Sequence, residues 1–156
     1  MADNEFVIDR EKLEVRTSRV FKAPATRLWR AYTDPEQIPK WWGPAYLTTV
    51  VDKMDVRVGG VWRFVQTEPS GKEHAFNGVY KEIDEPRKLV NTFEYEPIPG
   101  HIVLETMTLE ERDNQTTVTA VSAFTELADL EGMLAMDMKA GQLESQARLA
   151  VLVESA

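Results

Sequence analysis

The chain has 156 residues, no cysteine, two widely separated histidines (His74 and His101) and a formal net charge of −8. One domain of that length buries about 70% of the surface its unfolded chain exposes, so no disulfide or metal is needed to hold it together, and the missing thiols exclude a cysteine zinc site. The acidic balance without a Lys/Arg cluster argues against nucleic acid as a partner, and the longest apolar run, Leu149 to Val153, is far too short to span a bilayer.

Residues 1 to 10 are mostly polar and read as a loose lead-in to one domain covering 1–156, with Phe6, Val7 and Ile8 able to pair as an edge strand. There is no basic segment ahead of an apolar run, so no export signal is expected and a cytoplasmic location follows. From Leu13 to Phe21 the β-branched content predicts a strand. Pro24 then opens a short helix from Ala25 to Tyr32, with Leu28, Trp29 and Tyr32 as its apolar stripe. Asp34 and Pro35 suit the N-cap and first turn of a second short helix, which runs to Trp41 and is stopped by Gly43-Pro44.

The period then changes to that of strands. Segments from Thr48 to Val58, Val61 to Thr67, Glu73 to Ile83, Lys88 to Tyr95, Ile102 to Glu110 and Thr116 to Phe124 alternate in polarity and are separated by turn residues. Gly59-Gly60 provides a turn or bulge, because glycine accepts backbone angles closed to other residues. Short connections predict one antiparallel meander with a covered face and a wet face. From about Leu130 to Val153 a spacing of three or four between Leu134, Met138, Gly141, Ser145, Leu149 and Leu152 predicts one long helix, about 36 Å from end to end, able to lie across the sheet. Its small residues leave room for a gap between helix and sheet, although a layer of aromatics could fill that gap instead.

Specific strings then carry a resemblance. They are Pro24 with Leu28-Trp29, Thr33-Asp34-Pro35-Glu36, Trp41-Trp42-Gly43-Pro44, Asp55 with Arg57 and Gly59-Gly60, Trp62-Arg63-Phe64, Gly78-Val79-Tyr80 with Glu82-Ile83, and Gly141-x-x-Glu144-Ser145-x-x-Arg148-Leu149. Over roughly residues 15 to 153 the chain resembles bacterial proteins similar to the C-terminal domain of the activator of the heat-shock-protein-ninety ATPase, within the START-like (SRPBCC) superfamily. The resemblance implies an α+β helix-grip fold of order β-α-α-β-β-β-β-β-β-α. In it a bent antiparallel sheet wraps the C-terminal helix, and the two short helices form a lid over a cavity whose mouth lies near Trp41 and Trp42. Val58 and Gln146 depart from the family pattern; an inward Gln146 would put a donor and an acceptor into an apolar wall.

Trp62 and Phe64 share one strand face, as do Phe76 and Tyr80 on the next, and these rings are either plain core or the wall of a pocket. Phe93, Glu105 and Met107 on later strands, with Met138, Gln142 and Gln146 on the last helix, complete the expected lining. His101 and Glu105 are about 13 Å apart along a strand, too far to pair, and His101 reads as a solvated loop residue. Asp55 with Arg57, and Glu144 with Arg148, read as surface ion pairs. No nucleophile elbow, phosphate loop or zinc spacing is present, and no cofactor is expected. The expected function is binding of a small apolar or amphipathic molecule. A chaperone-directed interaction module and a cyclase or aromatase acting on polyketide-like substrates, with Glu105, His101 and Tyr80 as candidate groups, are the alternatives.

Overall fold

A computed structural model describes residues 4–154. Its centre is an antiparallel sheet of eight strands: β1 (Asn4–Asp9), β2 (Glu14–Phe21), β3 (Thr48–Met54), β4 (Val61–Thr67), β5 (Glu73–Asp84), β6 (Lys88–Tyr95), β7 (Val103–Arg112) and β8 (Gln115–Ala123). The spatial order is β1-β2-β8-β7-β6-β5-β4-β3, so the meander from β3 to β8 is continued by β2, which returns to pair with β8. Register shifts between Val51 and Lys53 and between Tyr80 and Glu82 interrupt the ladders, as bulges that bend a strand do. The concave face holds α1 (Ala25–Thr33), α2 (Ile38–Trp41), α3 (Leu127–Ala135) and α4 (Met138–Glu154). This is the helix-grip arrangement.

Three elements differ from the expectation. The loose lead-in over residues 1 to 10 gives way, from Asn4 to Asp9, to the edge strand that Phe6, Val7 and Ile8 also allowed, paired with β2 through Phe6↔Thr17 and Ile8↔Val15; residues 1–3 lie outside the described chain. The hairpin is turned by the Asp9 carboxylate, whose Oδ1 accepts from the Glu11 and Lys12 amides at 3.1 and 3.0 Å. An edge strand with Val7 and Ile8 in solvent shows no inside-outside alternation, so composition alone reads it as a loose end.

The second short helix shrinks to the single turn Ile38–Trp41. Asp34 still works at the junction, its Oδ1 accepting from the Glu36 amide at 2.9 Å, but it caps a turn and not a helix.

The predicted long helix is two helices. Asp137 takes a left-handed φ of 63° between α3 and α4, a conformation Asp tolerates better than most residues. The break lets α3 fold over one end of the sheet, where Leu130 is fully buried in a cluster with Val15, Val103 and Phe124. Its physical cause lies in those long-range contacts, because Met136-Asp137-Met138 carries neither glycine nor proline.

The 17-residue α4 spans about 25 Å and packs unevenly. Its C-terminal half buries Leu149, Ala150 and Val153 in the main core with Phe21, Leu28 and Ile38. Its N-terminal half presents Gly141, Gln142, Ser145 and Gln146 to open space. Leu130→Ala is expected to cost about 2–5 kcal/mol in urea unfolding, against less than ~0.5 kcal/mol for Val7→Ala on the exposed edge.

Candidate functional site

The standoff of α4 leaves a cavity of about 510 Å³ between helix and sheet. One wall is aromatic and follows from strand alternation. Trp62 and Phe64 from β4, Phe76 and Tyr80 from β5 and Phe93 from β6 all point inward, with Phe64 directly opposite Phe76 across the ladder. The rings meet in series, Trp62 to Phe64 at 4.7 Å and Phe76 to Phe93 at 5.3 Å between centroids. Trp42 closes this wall edge-on, 5.1 Å from Phe64 and 5.3 Å from Phe76. Tyr46, 65% exposed, stands at the rim of the loop after Trp42.

The two adjacent indoles therefore divide the work. Trp41 is 6% exposed, donates its Nε1–H to the Ala31 carbonyl at 2.9 Å and packs edge-on to Tyr32, fastening α2 to α1. Trp42 is half-buried and covers the aromatic wall. Both border the cavity.

The turn after them is fastened to α4. Ser145 Oγ accepts from the Gly43 amide at 2.8 Å, Glu144 Oε2 accepts from the Ala45 amide at 2.6 Å, and Arg148 donates to the Gly43 carbonyl at 2.7 Å and to the Pro39 carbonyl at 3.5 Å. Glu144 and Arg148 are thus not a surface ion pair but two parts of one backbone clamp. Gly43 has φ +83°, which strains any other residue, and a Cβ there would lie 1.9 Å from Gln66 Nε2 and force that amide to move. Asp55 and Arg57 do form the expected exposed pair, at 2.7 Å.

The cavity floor carries the polar groups. Glu105 on β7 lies in register between Asn91 of β6 and Ser122 of β8, and Ser122 donates its hydroxyl to Oε2 at 2.7 Å. Burial pushes the Glu105 carboxyl up to about 7, and the Ser122 bond opposes that shift only in part. The surface that Glu105 retains is cavity surface, so partial exposure and loss of hydration are compatible here. Burial and the nearby Glu105 charge together push the Tyr32 phenol well above its ordinary range. From α4, the buried Gln146 Oε1 has no hydrogen-bond partner among the described residues.

At another part of the wall His74 is saturated, with Nδ1 2.7 Å from the Tyr95 hydroxyl and Nε2 2.5 Å from Glu68 Oε2. His101 lies elsewhere: its Nδ1 is 2.7 Å from Asp129 of α3, beside a smaller cavity of about 240 Å³.

Met107 and Met138 fill out the apolar lining, and Gln142 adds a further amide from α4. Every residue expected from the sequence to line the cavity or its mouth, from Trp41 to Gln146, borders the larger cavity, whereas His101, named as a candidate catalytic group, does not. Gln66, His74 and Asn91 were not expected as lining, although each stands two residues from a named aromatic on its own strand and so shares its face. Tyr32 was read as helix packing alone. Among the described residues no group of three or more His, Asp or Glu could hold a metal ion, and no described helix is long and apolar enough to cross a membrane.

The family model for "Activator of Hsp90 ATPase homolog 1-like protein" matches residues 22–154. The chain belongs to that family. Solved structures share the fold: protein Ms6760 from Mycobacterium smegmatis is 25% identical, with a TM-score of 0.88 and 97% of each chain covered. A protein from Arthrobacter aurescens is 23% identical, with a TM-score of 0.91 over 98% of this chain and 92% of that one. DynU16, from the dynemicin biosynthetic locus, is 21% identical with a TM-score of 0.70; 92% of this chain covers 48% of that longer one. No functionally curated protein matches the chain. Fold and family are consistent with a START-like ligand-binding domain, and the Gly43 clamp and aromatic wall are how this family member builds its cavity.

Two tests follow from this geometry. A carboxyl raised from 4.5 to about 7 in the folded state costs nothing at pH values below 4.5, where folded and unfolded chains are both protonated, and destabilises progressively as pH rises through 7. Glu105→Gln is therefore expected to stabilise the protein by about 2–3 kcal/mol at pH 8 and by almost nothing at pH 4, read from urea midpoints. Arg148→Met is expected to cost about 1–3 kcal/mol and to speed hydrogen exchange at the Gly43 and Ala45 amides, read by mass spectrometry.

Proposed function

We propose that this protein binds a small, largely apolar or amphipathic molecule between the sheet and the N-terminal half of α4. The observation that carries the reading is the standoff itself: α4 offers Gly141 and Ser145 where the aromatic wall would otherwise meet large side chains. A Cβ built on Gly141 meets nothing within 4 Å. A volume of about 510 Å³ walled mainly by rings, with a few polar groups at fixed places, is within the range that accommodates small organic ligands.

Acid–base catalysis is a second reading, favoured by one group only. Glu105 has a proton affinity suited to general acid or base work near neutrality. The other two candidates give it no support. Burial pushes the Tyr80 phenol well above its ordinary range, and His101 borders the smaller cavity in contact with Asp129.

The neutral fluorophore N-phenyl-1-naphthylamine is expected to bind the wild-type protein saturably, with enhanced emission. Gly141→Phe, which fills the space under α4, is expected to abolish that signal while leaving the melting temperature within a few degrees. A probe that fails to saturate the wild-type protein, or binds Gly141→Phe equally well, overturns the cavity reading.

A further inference from the structure

Resting on that binding reading, we infer that the ligand of this cavity carries a protonated amine, received by Glu105 and Gln146 beneath the aromatic wall. The argument begins with what the wall lacks. Among the described residues no lysine or arginine lines the cavity, so an anionic headgroup would meet a carboxyl and no cation there. His74 offers no substitute, because both ring nitrogens are already engaged by Glu68 and Tyr95. Arg19, on the inward side of β2, stacks its guanidinium 5.4 Å over Phe21 and is not part of the wall.

What the wall does offer are acceptors. Ser122 uses one Glu105 oxygen, and among the described residues the second has no hydrogen-bond partner and Gln146 Oε1 is buried without one. The other buried groups without a partner among the described residues lie away from that floor: Arg19 Nε belongs to the guanidinium over Phe21, and Trp62 Nε1–H lies against the β5 backbone, 2.4 Å from where a Gly78 Cβ would be. When Glu105 is ionised both groups are acceptors and suit a ligand that donates, and an ammonium donates in three directions while supplying the counter-charge that Glu105 lacks. Trp42, Phe64, Phe76 and Phe93 border the same space with rings whose faces attract a cation, and the net charge of −8 favours its approach.

The same arrangement makes affinity depend on pH. Tyr32 from α1 faces Glu105, and Tyr80, His74 and Tyr95 line the cavity from β5 and β6. The nearer groups from β2, β8 and α4, namely Thr17, Ser122, Gln142 and Gln146, do not titrate. An amine keeps its own proton from pH 6 to 8, so the Glu105 carboxyl controls the change.

The test uses three ligands with one ring system: 2-(2-naphthyl)ethylamine, 2-(2-naphthyl)ethanol and 2-naphthylacetate, titrated by calorimetry into the full chain. The amine is expected to bind about tenfold more tightly at pH 8 than at pH 6 and to lead the series at pH 8, with the carboxylate last. Glu105→Gln is expected to lower amine affinity at least about tenfold and to remove the pH dependence while leaving the alcohol within about twofold; Gln146→Leu is expected to weaken the amine several-fold. Thermal melts check that both variants fold. If the alcohol binds but the amine gains nothing over it, or if the amine is indifferent to Glu105→Gln, the amine inference is overturned and the cavity reading stands. If none of the three binds, both are overturned.

Discussion

The backbone clamp between the Trp42–Ala45 turn and α4 is the interaction on which the rest of the site depends. Three side chains of one helix, Glu144, Ser145 and Arg148, satisfy amides and carbonyls of a turn that would otherwise have to satisfy them from solvent. Charge-assisted bonds of 2.6 to 2.7 Å at both ends of the turn fix the height of α4 above the sheet at that point. The clamp also places Trp42 against Phe64 and Phe76. A helix held in this way cannot relax onto the aromatic wall, and the cavity is the space that results.

The clamp and the core divide α4 between them. Beyond Arg148 the helix is bound by apolar contact through Leu149, Ala150 and Val153, and before it by hydrogen bonds to a loop. Packing of the first kind is dense and tolerates no gap without loss of stability, whereas a few directional bonds can hold two surfaces apart. The side of α4 above the sheet is for this reason polar, carrying Gln142, Ser145 and Gln146 where a packed helix would carry leucine. Glu105 on the floor belongs to the same economy of surfaces: its carboxyl is tolerable because Ser122 bonds it and the cavity adjoins it, yet burial raises its proton affinity to the neutral range. The protein thus keeps an ionisable group with little hydration and no protein cation beside it, an arrangement more common at functional sites than in structural interiors.

Much of this was legible because it is local. Alternation placed Trp62, Phe64, Phe76, Tyr80 and Glu105 on inward faces, since a strand's period of two leaves no other choice once one residue of the face is known. Turn chemistry at Asp84-Glu85-Pro86 and Arg112-Asp113-Asn114-Gln115 separated the strands. The missed features are those decided at long range. Asp137 breaks the last helix without glycine or proline, because Leu130 gains a place among Val15, Val103 and Phe124. The edge strand β1, one of two readings open for Phe6 to Ile8, is decided only by its pairing with β2. Glu144 and Arg148 at helical spacing suggest each other as partners, and nothing in that spacing indicates a turn about a hundred residues earlier.

The sequence by itself determined that this chain forms an antiparallel meander with short helices before it and helix after it, and which aromatic and acidic side chains share a face of each strand. Those are consequences of periodicity, capping and breakers, which act over a few residues. The tertiary structure alone decided that the two tryptophans differ, Trp41 bonded to Ala31 and Trp42 lying over the rings. It also decided that the space beneath α4 stays open and that Glu105 lies within it without a neighbouring cation. These outcomes turn on which distant groups meet, and a hydrogen bond or a buried charge acquires its energy only from the partner it finds.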